Sequence, residues 1–341
     1  MSIEFERLLP GKLEGELLSD LLRKYTFGDE SVVVGARYGE DATVIEVGDR
    51  YLVAKTDPIT FTSDRIGVWA VHVNANDILC MGAVPKWFLA TILLSEHHSS
   101  RHSVEKIFSD ISATCRAQKI AFCGGHTEIT VDLNRPILVG QMLGEVTREC
   151  LVRKTNARRG DHILLVNEIP IETTAILAFE YADELAKAYS VDFVERCQSM
   201  LENPGISVRR AVETVLGAGA VHALHDPTEG GLCSALHELA SASDLGVEIH
   251  FSEIPLLPEG KLLCDHYQLD PLGCIASGSL LAIVPSGGTE NAVAACHNHG
   301  LVAADIGVMT APEQGRILHL NRRQLPLPIY PRDEILKLTG I

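Results

Sequence analysis

Five short segments set acids, amides and glycines at points where a strand or helix should end, and these residue types hold divalent cations and phosphates. In Gly39-Glu40-Asp41-Ala42, ahead of an apolar run from Thr43, Asp41 is the candidate ligand. In Thr56-Asp57-Pro58 the proline should stop a strand begun at Tyr51 and hold the Asp57 carboxylate at its tip. In Asn74-Ala75-Asn76-Asp77, Asn74 and Asp77 share one helical face and interrupt an apolar run with groups that need partners. Cys123-Gly124-Gly125-His126-Thr127-Glu128 puts two glycines after an apolar strand, which predicts a sharp turn with exposed amides. Asp226-Pro227-Thr228-Glu229-Gly230-Gly231 leads into a helix from Leu232, and a helix N-terminus with orphan N–H groups suits phosphate. Taken singly, each segment is also what an ordinary turn, cap or core supplies. Together, Asp41, Asp57 and Asp77 are hard oxygen ligands of the kind Mg2+ prefers, enough for more than one ion beside substrate phosphates.

The elements that must position these residues read as a mixture of strands and helices without strict alternation. Thr43 to Glu46 and Tyr51 to Lys55 read as strands around a Gly48-Asp49 turn, and Asp64 should cap a helix reaching Met81 with an apolar stripe of Ile66, Trp69, Val73 and Ile78. Pro85 to Leu94, Ile120 to Cys123 and Pro136 to Val146 read as strands, with a helix over Ser103 to Gln118. The second half predicts helices at Glu172 to Tyr189, Ser207 to Leu216, Gly231 to Ala242 and Gly288 to His299. Its strands fall at His162 to Val166, Val247 to Phe251, Ser279 to Val284 and Ala303 to Val308. The charged and small polar run between Arg148 and Asp161 separates the halves, so the cut is placed near Thr155, giving units 1–155 and 156–341 of α+β type. A length of 341 residues also favours two cores over one.

Composition narrows the function. Forty-five acidic against 29 basic residues give a formal charge of -16, a field that repels nucleic acid and anionic membrane surfaces. A nucleotide then needs Mg2+ or a local nest of amides to reverse the sign. No basic segment followed by an apolar stretch opens the chain, and the most apolar window, Leu79 to Leu94, is broken by Pro85 and Lys86. Nine cysteines without a C-x-x-C pair fit reduced thiols in a cytoplasm.

No G-x-x-x-x-G-K-[ST] occurs, and Gly217-Ala218-Gly219 continues to His222 where a dinucleotide fingerprint needs glycine. A transition-metal enzyme is the remaining rival, built on Cys123 with His126 or on His222 with His225. Lys12, in Pro10-Gly11-Lys12-Leu13, reads either as a surface lysine or as a cation reaching a phosphate from a mobile loop.

In order and wording, GEDATV, KTDPI, NANDILCMGAVP, GGHTE, HDPTEGGL and SGSLLAIVP resemble the aminoimidazole-ribonucleotide (AIR) synthetase-like superfamily over about residues 30 to 310, nearest to hydrogenase-maturation proteins of the HypE type. The resemblance implies two α+β domains, the second an α/β sandwich, and a homodimer with a barrel-like interface formed by the N-terminal domains. It also implies ATP with Mg2+ near that interface. Asp41, Asp57 and Asp77 would hold metal and phosphates. The nucleotide set would comprise Lys12, Asp41, Thr56, Asp57, Asn74, Asp77, Gly124, Gly125, His126, Asp226, Gly230 and Gly231. The implied reaction is phosphorylation of a carbonyl or amide-type oxygen, on a small or protein-borne acceptor, that drives dehydration, cyclisation or group transfer. A non-catalytic ATP-binding assembly protein is the alternative.

Three departures bear on the chemistry. His126 stands where the HypE-type motif has an acid. The chain ends Thr339-Gly340-Ile341 where HypE-type proteins end in cysteine, so nitrile formation on a tail cysteine is not expected. Val166 to Glu172 lacks the glycines that follow the equivalent strand in relatives.

Overall fold

A computed structural model of the chain describes residue 8 and residues 10–338. The chain ends read above for a signal segment and a terminal cysteine, residues 1–7, 9 and 339–341, lie outside the described residues. In the first half the elements are α1 (Gly15–Tyr25), β1 (Val32–Val34), β2 (Thr43–Val47), β3 (Arg50–Ile59) and α2 (Ile66–Cys80), then β4 (Val84–Ser95), α3 (Arg101–Ala117), β5 (Ala121–Thr130) and β6 (Ile137–Val146). The six strands form one sheet in the order β1-β2-β3-β6-β4-β5.

The second half opens with β7 (His162–Val166), α4 (Ile171–Glu180), α5 (Ala182–Ala188), α6 (Val191–Ser199), α7 (Arg209–Ala218), β8 (Ala223–His225) and α8 (Gly231–Ser243). It continues with β9 (Gly246–His250), α9 (Pro258–Tyr267), β10 (Leu280–Val284), α10 (Thr289–Asn298), β11 (Ala303–Thr310), β12 (Arg316–Leu320) and β13 (Arg323–Pro326). Its seven strands are ordered β13-β12-β9-β11-β7-β10-β8. The central strands are apolar throughout because helices cover both faces. In β7, Ile163 and Leu165 face the core under α8, while Leu164 and Val166 face the core under α7 and α10. This is the two-domain AIR-synthase-like architecture that the motifs implied, with one sheet in each half.

Helix α2 holds the halves together. Every residue from Ile66 to Cys80 is buried except His72, so the helix is covered all round and is not a stripe with one polar face. It lies on β3 and β6 and touches α3, α7 and β8. The approach to β6 is close enough to require glycine: a Cβ on Gly140 would fall 2.3 Å from Asn74 Nδ2, and one on Gly144 2.3 Å from Ile78 Cγ2.

Several local expectations are corrected. Asp64 does not cap α2; Arg65 precedes the helix in the left-handed region (φ 54°), and the Asp64 carbonyl accepts from Trp69 Nε1 at 3.0 Å. Pro58 does not end β3, which runs on to Ile59. Beyond Ala54 only β6 pairs with β3, so the missing proline N–H falls where one side of the strand has no partner. Gly124 and Gly125 do not turn the chain either; they lie inside β5. A Cβ on Gly125 would fall 1.9 Å from Ala90 O, so glycine there serves the approach to β4. The helix expected over Glu172 to Tyr189 breaks at Tyr181 into α4 and α5. Among the described residues no helix is long and apolar enough to cross a membrane.

Asn76 ties α2 to the second half: its Nδ2 donates to Ile206 O at 2.8 Å and its Oδ1 accepts from Val208 N at 3.0 Å, all buried. Asn76→Ala leaves a buried carbonyl and a buried amide unpaired. The expected cost is about 2–4 kcal/mol, read as a lower urea midpoint at unchanged m-value; an unshifted midpoint contradicts this role for α2.

Candidate cation and nucleotide site

The acids converge where the first sheet, α2 and β8 meet. Lys55 and Asp57 are two apart on β3 and so share a face. Lys55 Nζ stands 3.6 Å from Asp57 Oδ2 and 3.3 Å from Asp77 Oδ2 on α2. One turn earlier, Asn74 Nδ2 donates to Asp57 O at 3.2 Å and to Ala70 O at 2.9 Å, which fixes the backbone carrying Asp57. Asp41 sits ahead of β2, and the buried Lys154 reaches it from the segment joining the halves, with Nζ 2.6 Å from both Asp41 Oδ1 and Gly39 O.

Strand β8 adds His225 and Asp226. Cys80, at the end of α2, donates from Sγ to Asp226 Oδ1 at 3.7 Å. His225 Nε2 lies 3.0 Å from Glu238 Oε2 on α8, and His225 Nδ1 lies 3.2 Å from Asp41 Oδ1. Glu238 Oε1 also meets Lys12 Nζ at 3.3 Å, and Lys12 donates to Thr228 Oγ1 at 3.1 Å. Five carboxylates thus face three lysines; Asp41 Oδ2, Asp226 Oδ2 and Asn74 Oδ1 are buried without a hydrogen-bond donor, and Asp77 Oδ2 meets the Lys55 ammonium as an ion pair without an aligned hydrogen bond.

Proton affinities divide by neighbour. Burial works against the Asp41 anion, but His225 and Lys154 outweigh it and hold the carboxyl far below its usual range. Glu238 behaves alike: burial opposes its charge, Lys12 and His225 prevail, and it falls to about 2. Asp77 and Asp226 move the other way. Burial pushes both up, with Lys55 opposing at Asp77 and with Asp41 adding repulsion at Asp226. Burial also works against the Lys55 ammonium, yet Asp77 and Asp57 raise it. For His225, burial favours the neutral ring and the Asp41 charge overrides it, raising the imidazole.

A narrow cleft open to solvent adjoins the cluster. Its apolar wall includes Phe61, Trp69, Ile176 and Ile275, and its polar groups include Lys12, Asp57, Glu172 and Ser277. Glu172 Oε2 accepts from Ser277 N at 2.9 Å, and burial pushes its carboxyl up to about 7.

The structure therefore brings Lys12, Asp41, Asp57, Asn74, Asp77 and Asp226 together. Thr56, the neighbour of Asp57, points to the other face and donates to Gly140 O at 2.9 Å. Gly230 and Gly231 enter α8, but their amides are used: Gly230 N donates to Asp333 Oδ2 at 2.7 Å and Gly231 N to Thr228 O at 2.9 Å. A carboxylate of this chain holds the position read above as a phosphate site. Gly124, Gly125 and His126 lie on β5, separated from β3 by β6 and β4, roughly 14 Å at about 4.8 Å per strand. His126 is exposed and 3.0 Å from Glu128 Oε2.

Neither transition-metal pair forms. Cys123 and His126 stand on the exposed edge strand. His222 and His225, three apart on extended backbone, point to opposite faces; His222 Nδ1 takes Asp161 Oδ2 at 2.7 Å. Lys55, Lys154, Glu238 and Glu172 escaped the sequence reading. Lys55 was visible as the same-face neighbour of Asp57, whereas Lys154 was hidden in a basic linker and Glu238 in a helix about two turns beyond the nearest motif.

A protein of Methanocaldococcus jannaschii provisionally named a hydrogenase expression/formation protein is 28% identical over 330 residues, covering 94% of this chain and 95% of that protein. Carbamoyl dehydratase HypE of Rhizobium leguminosarum bv. viciae is 27% identical over 339 residues, covering 93% and 92%. Selenide, water dikinase of Dechloromonas aromatica (strain RCB) is 25% identical over 234 residues, covering 67% and 64%. Among solved structures, hydrogenase maturation protein HypE in complex with ATP superposes with a TM-score of 0.68 at 22% identity over 95% of this chain and 97% of that one. ThiL complexed with AMPPCP and TMP gives 0.70 at 20% identity over 93% and 94%. The family models for AIR synthase related protein match as N-terminal domain over residues 39–146 and as C-terminal domain over residues 158–319, and the chain belongs to that family.

Proposed function

We propose that this chain is a Mg-ATP-dependent phosphoryl-transfer enzyme that activates a carbonyl or amide-type oxygen for dehydration, cyclisation or group transfer. The observation that carries this reading is the pair of buried carboxylate oxygens without donors on Asp41 and Asp226, close to the Lys55, Asp57 and Asp77 charges and beside a solvent-open cleft. Hard oxygens of this kind fit Mg2+, and lysines among them fit phosphate. Asp57 and Asp77 would hold the metal, with Asp41 beside them and Asp226 completing the acidic wall. Bound Mg-ATP would supply the transferable phosphoryl group. The chain's own part is to orient: Asn74 fixes the Asp57 backbone, Lys55 bridges Asp57 and Asp77, and the apolar wall of Phe61, Trp69 and Ile176 excludes water from the reacting oxygen. The relatives named as a carbamoyl dehydratase and a selenide, water dikinase support ATP chemistry without fixing the acceptor.

The reading extends to assembly. β5 is the outermost strand, ten residues long and exposed along nearly its whole length, and an open edge of that length invites a partner strand. A homodimer joined through the N-terminal sheets would cover it in a barrel-like interface and bring Gly124, Gly125 and His126 of a second copy towards the nucleotide. The division into 1–155 and 156–341 and a cytoplasmic setting belong to the same proposal.

Asp57→Asn and Asp77→Asn each remove one charge-assisted contact, about 1.5–3 kcal/mol, so Mg-dependent ATP affinity should drop roughly tenfold to a hundredfold with the fold retained. Isothermal titration with Mg2+ and again with chelator measures this; equal affinity in both variants and the parent discards the assignment. ATP bound without release of ADP or AMP, whatever acceptor is supplied, would make the chain an ATP-binding assembly protein instead.

Glu172 generates a pH prediction. Between its ordinary 4.5 and about 7 the native protein keeps a proton that the unfolded chain has released, so this group's contribution to stability falls as pH rises through that window. Glu172→Gln keeps an acceptor for Ser277 N and has nothing to titrate. Its stability relative to the parent should rise by about 3 kcal/mol between pH 4.5 and 8, measured by urea unfolding at both pH values. A pH-independent difference would mean that Glu172 titrates as an exposed acid does.

A further inference from the structure

We propose that His225 is a nitrogen ligand in this chain's cation site, completing with Asp41 and Asp226 a mixed position that prefers a first-row transition-metal dication such as Mn2+ over Mg2+. This rests on reading the cluster as a cation site, and adds a ligand that reading does not contain.

The geometry begins at Glu238. Its Oε2 lies 3.0 Å from His225 Nε2, and a carboxylate can only accept, so Nε2 carries the hydrogen. In the neutral ring that fixes the tautomer and leaves the Nδ1 lone pair as the free valence, the position a cation would take in place of the proton that Asp41 otherwise favours there. A carboxylate that accepts from one ring nitrogen and so orients the other towards a metal is the usual support of metal-binding histidines. Nδ1 is buried, has no aligned hydrogen-bond partner, and faces Asp41 Oδ1 at 3.2 Å. Two lone pairs at that distance repel unless a proton or a cation joins them.

The other two ligands are equally prepared. Asp41 spends Oδ1 on Lys154 and leaves Oδ2 without a donor; Asp226 spends Oδ1 on the Cys80 thiol and leaves Oδ2 likewise. Asp226 is 1% exposed and His225 3%, so water is a poor substitute partner for either. Ligand atoms of Asp41, His225 and Asp226 lie within 4.8 Å of one another, a spread that one ion can span.

Ligand chemistry then selects the ion. Lys154 cancels part of the Asp41 charge, and Mg2+ depends on oxygen charge for affinity, gaining little from imidazole. Mn2+ tolerates an imidazole beside its oxygen ligands better than Mg2+ does, and affinity rises further along the first-row series, so one nitrogen with two carboxylate oxygens favours them over Mg2+.

The test uses full-length protein with one equivalent of Mn2+ and no nucleotide, read by electron spin echo and by titration. Nitrogen modulation is expected in the parent and should vanish in His225→Gln, with Mn2+ affinity lowered roughly tenfold or more and Mg2+ affinity nearly unchanged. Absence of modulation in the parent overturns the proposal, as does modulation that persists in His225→Gln. If that variant does not fold, Asp226→Asn replaces it: Mn2+ affinity should fall by a similar factor, and an unchanged affinity overturns the site. Mg-dependent ATP binding is titrated on the same protein and reports the enzyme reading separately. ATP bound without nitrogen modulation removes only His225, and modulation without ATP binding removes only the nucleotide.

Discussion

Everything at the centre of this protein depends on a lysine held between two aspartates inside the fold. Lys55 faces Asp57 from its own strand and Asp77 from α2, with Asp77 buried and the other two partly covered. Taking such charges out of water costs several kcal/mol per ion, and their attraction returns that only when every lone pair is satisfied. Here it is not, because the neighbouring Asp41 and Asp226 each keep a buried oxygen without a donor, and Asp77 meets Lys55 without an aligned hydrogen bond. Apolar side chains of similar volume would fold at least as well, so stability does not explain the cluster. Its persistence in the middle of a packed helix is the mark of a site built for something charged.

That constraint shapes α2. A helix carrying Asn74, Asn76 and Asp77 within four residues would ordinarily turn them to water, but this one is covered on all sides and gives each polar group a separate task. Asn74 binds the Asp57 backbone and Asn76 closes the second half against the helix, while Asp77 faces Lys55. The glycines of β6 bring the helix near enough for the first of these bonds. Position in the cluster is therefore inherited in part from packing between the halves, and any loosening of their contact moves Asp226 relative to Asp77.

The fold was largely legible in the sequence, since apolar runs such as His162 to Val166 and Leu280 to Val284 have one reading once both faces are known to be covered. Local grammar misled where tertiary contacts overrode it. Pro58 continues a strand because its exposed side has no partner there, and Gly124 and Gly125 serve strand packing instead of a turn. At the site the acids were visible because strand ends and an interrupted helix advertise them. Their counter-charges were not: Lys154 reads as linker, and Glu238 meets His225 only after α8 has packed beside β8. A carboxylate announces itself by interrupting an apolar pattern, whereas the residue that tunes it is chosen by the fold.

The same logic bears on Asp333. The glycine-rich entry to α8 has the orphan amides and dipole of an anion site, and the chain fills it with its own carboxylate from near its end, which also caps the following turn through Ile335 N at 3.0 Å. Burial pushes that carboxyl up to about 7, so the helix N-terminus does not fully compensate for the loss of water. Anion affinity at a helix start is thus no evidence for a ligand until the protein's own acids have been placed. With that position filled by Asp333, Lys12, Lys55 and Lys154, each engaged by a carboxylate of the cluster, are the cations that the proposed nucleotide would meet.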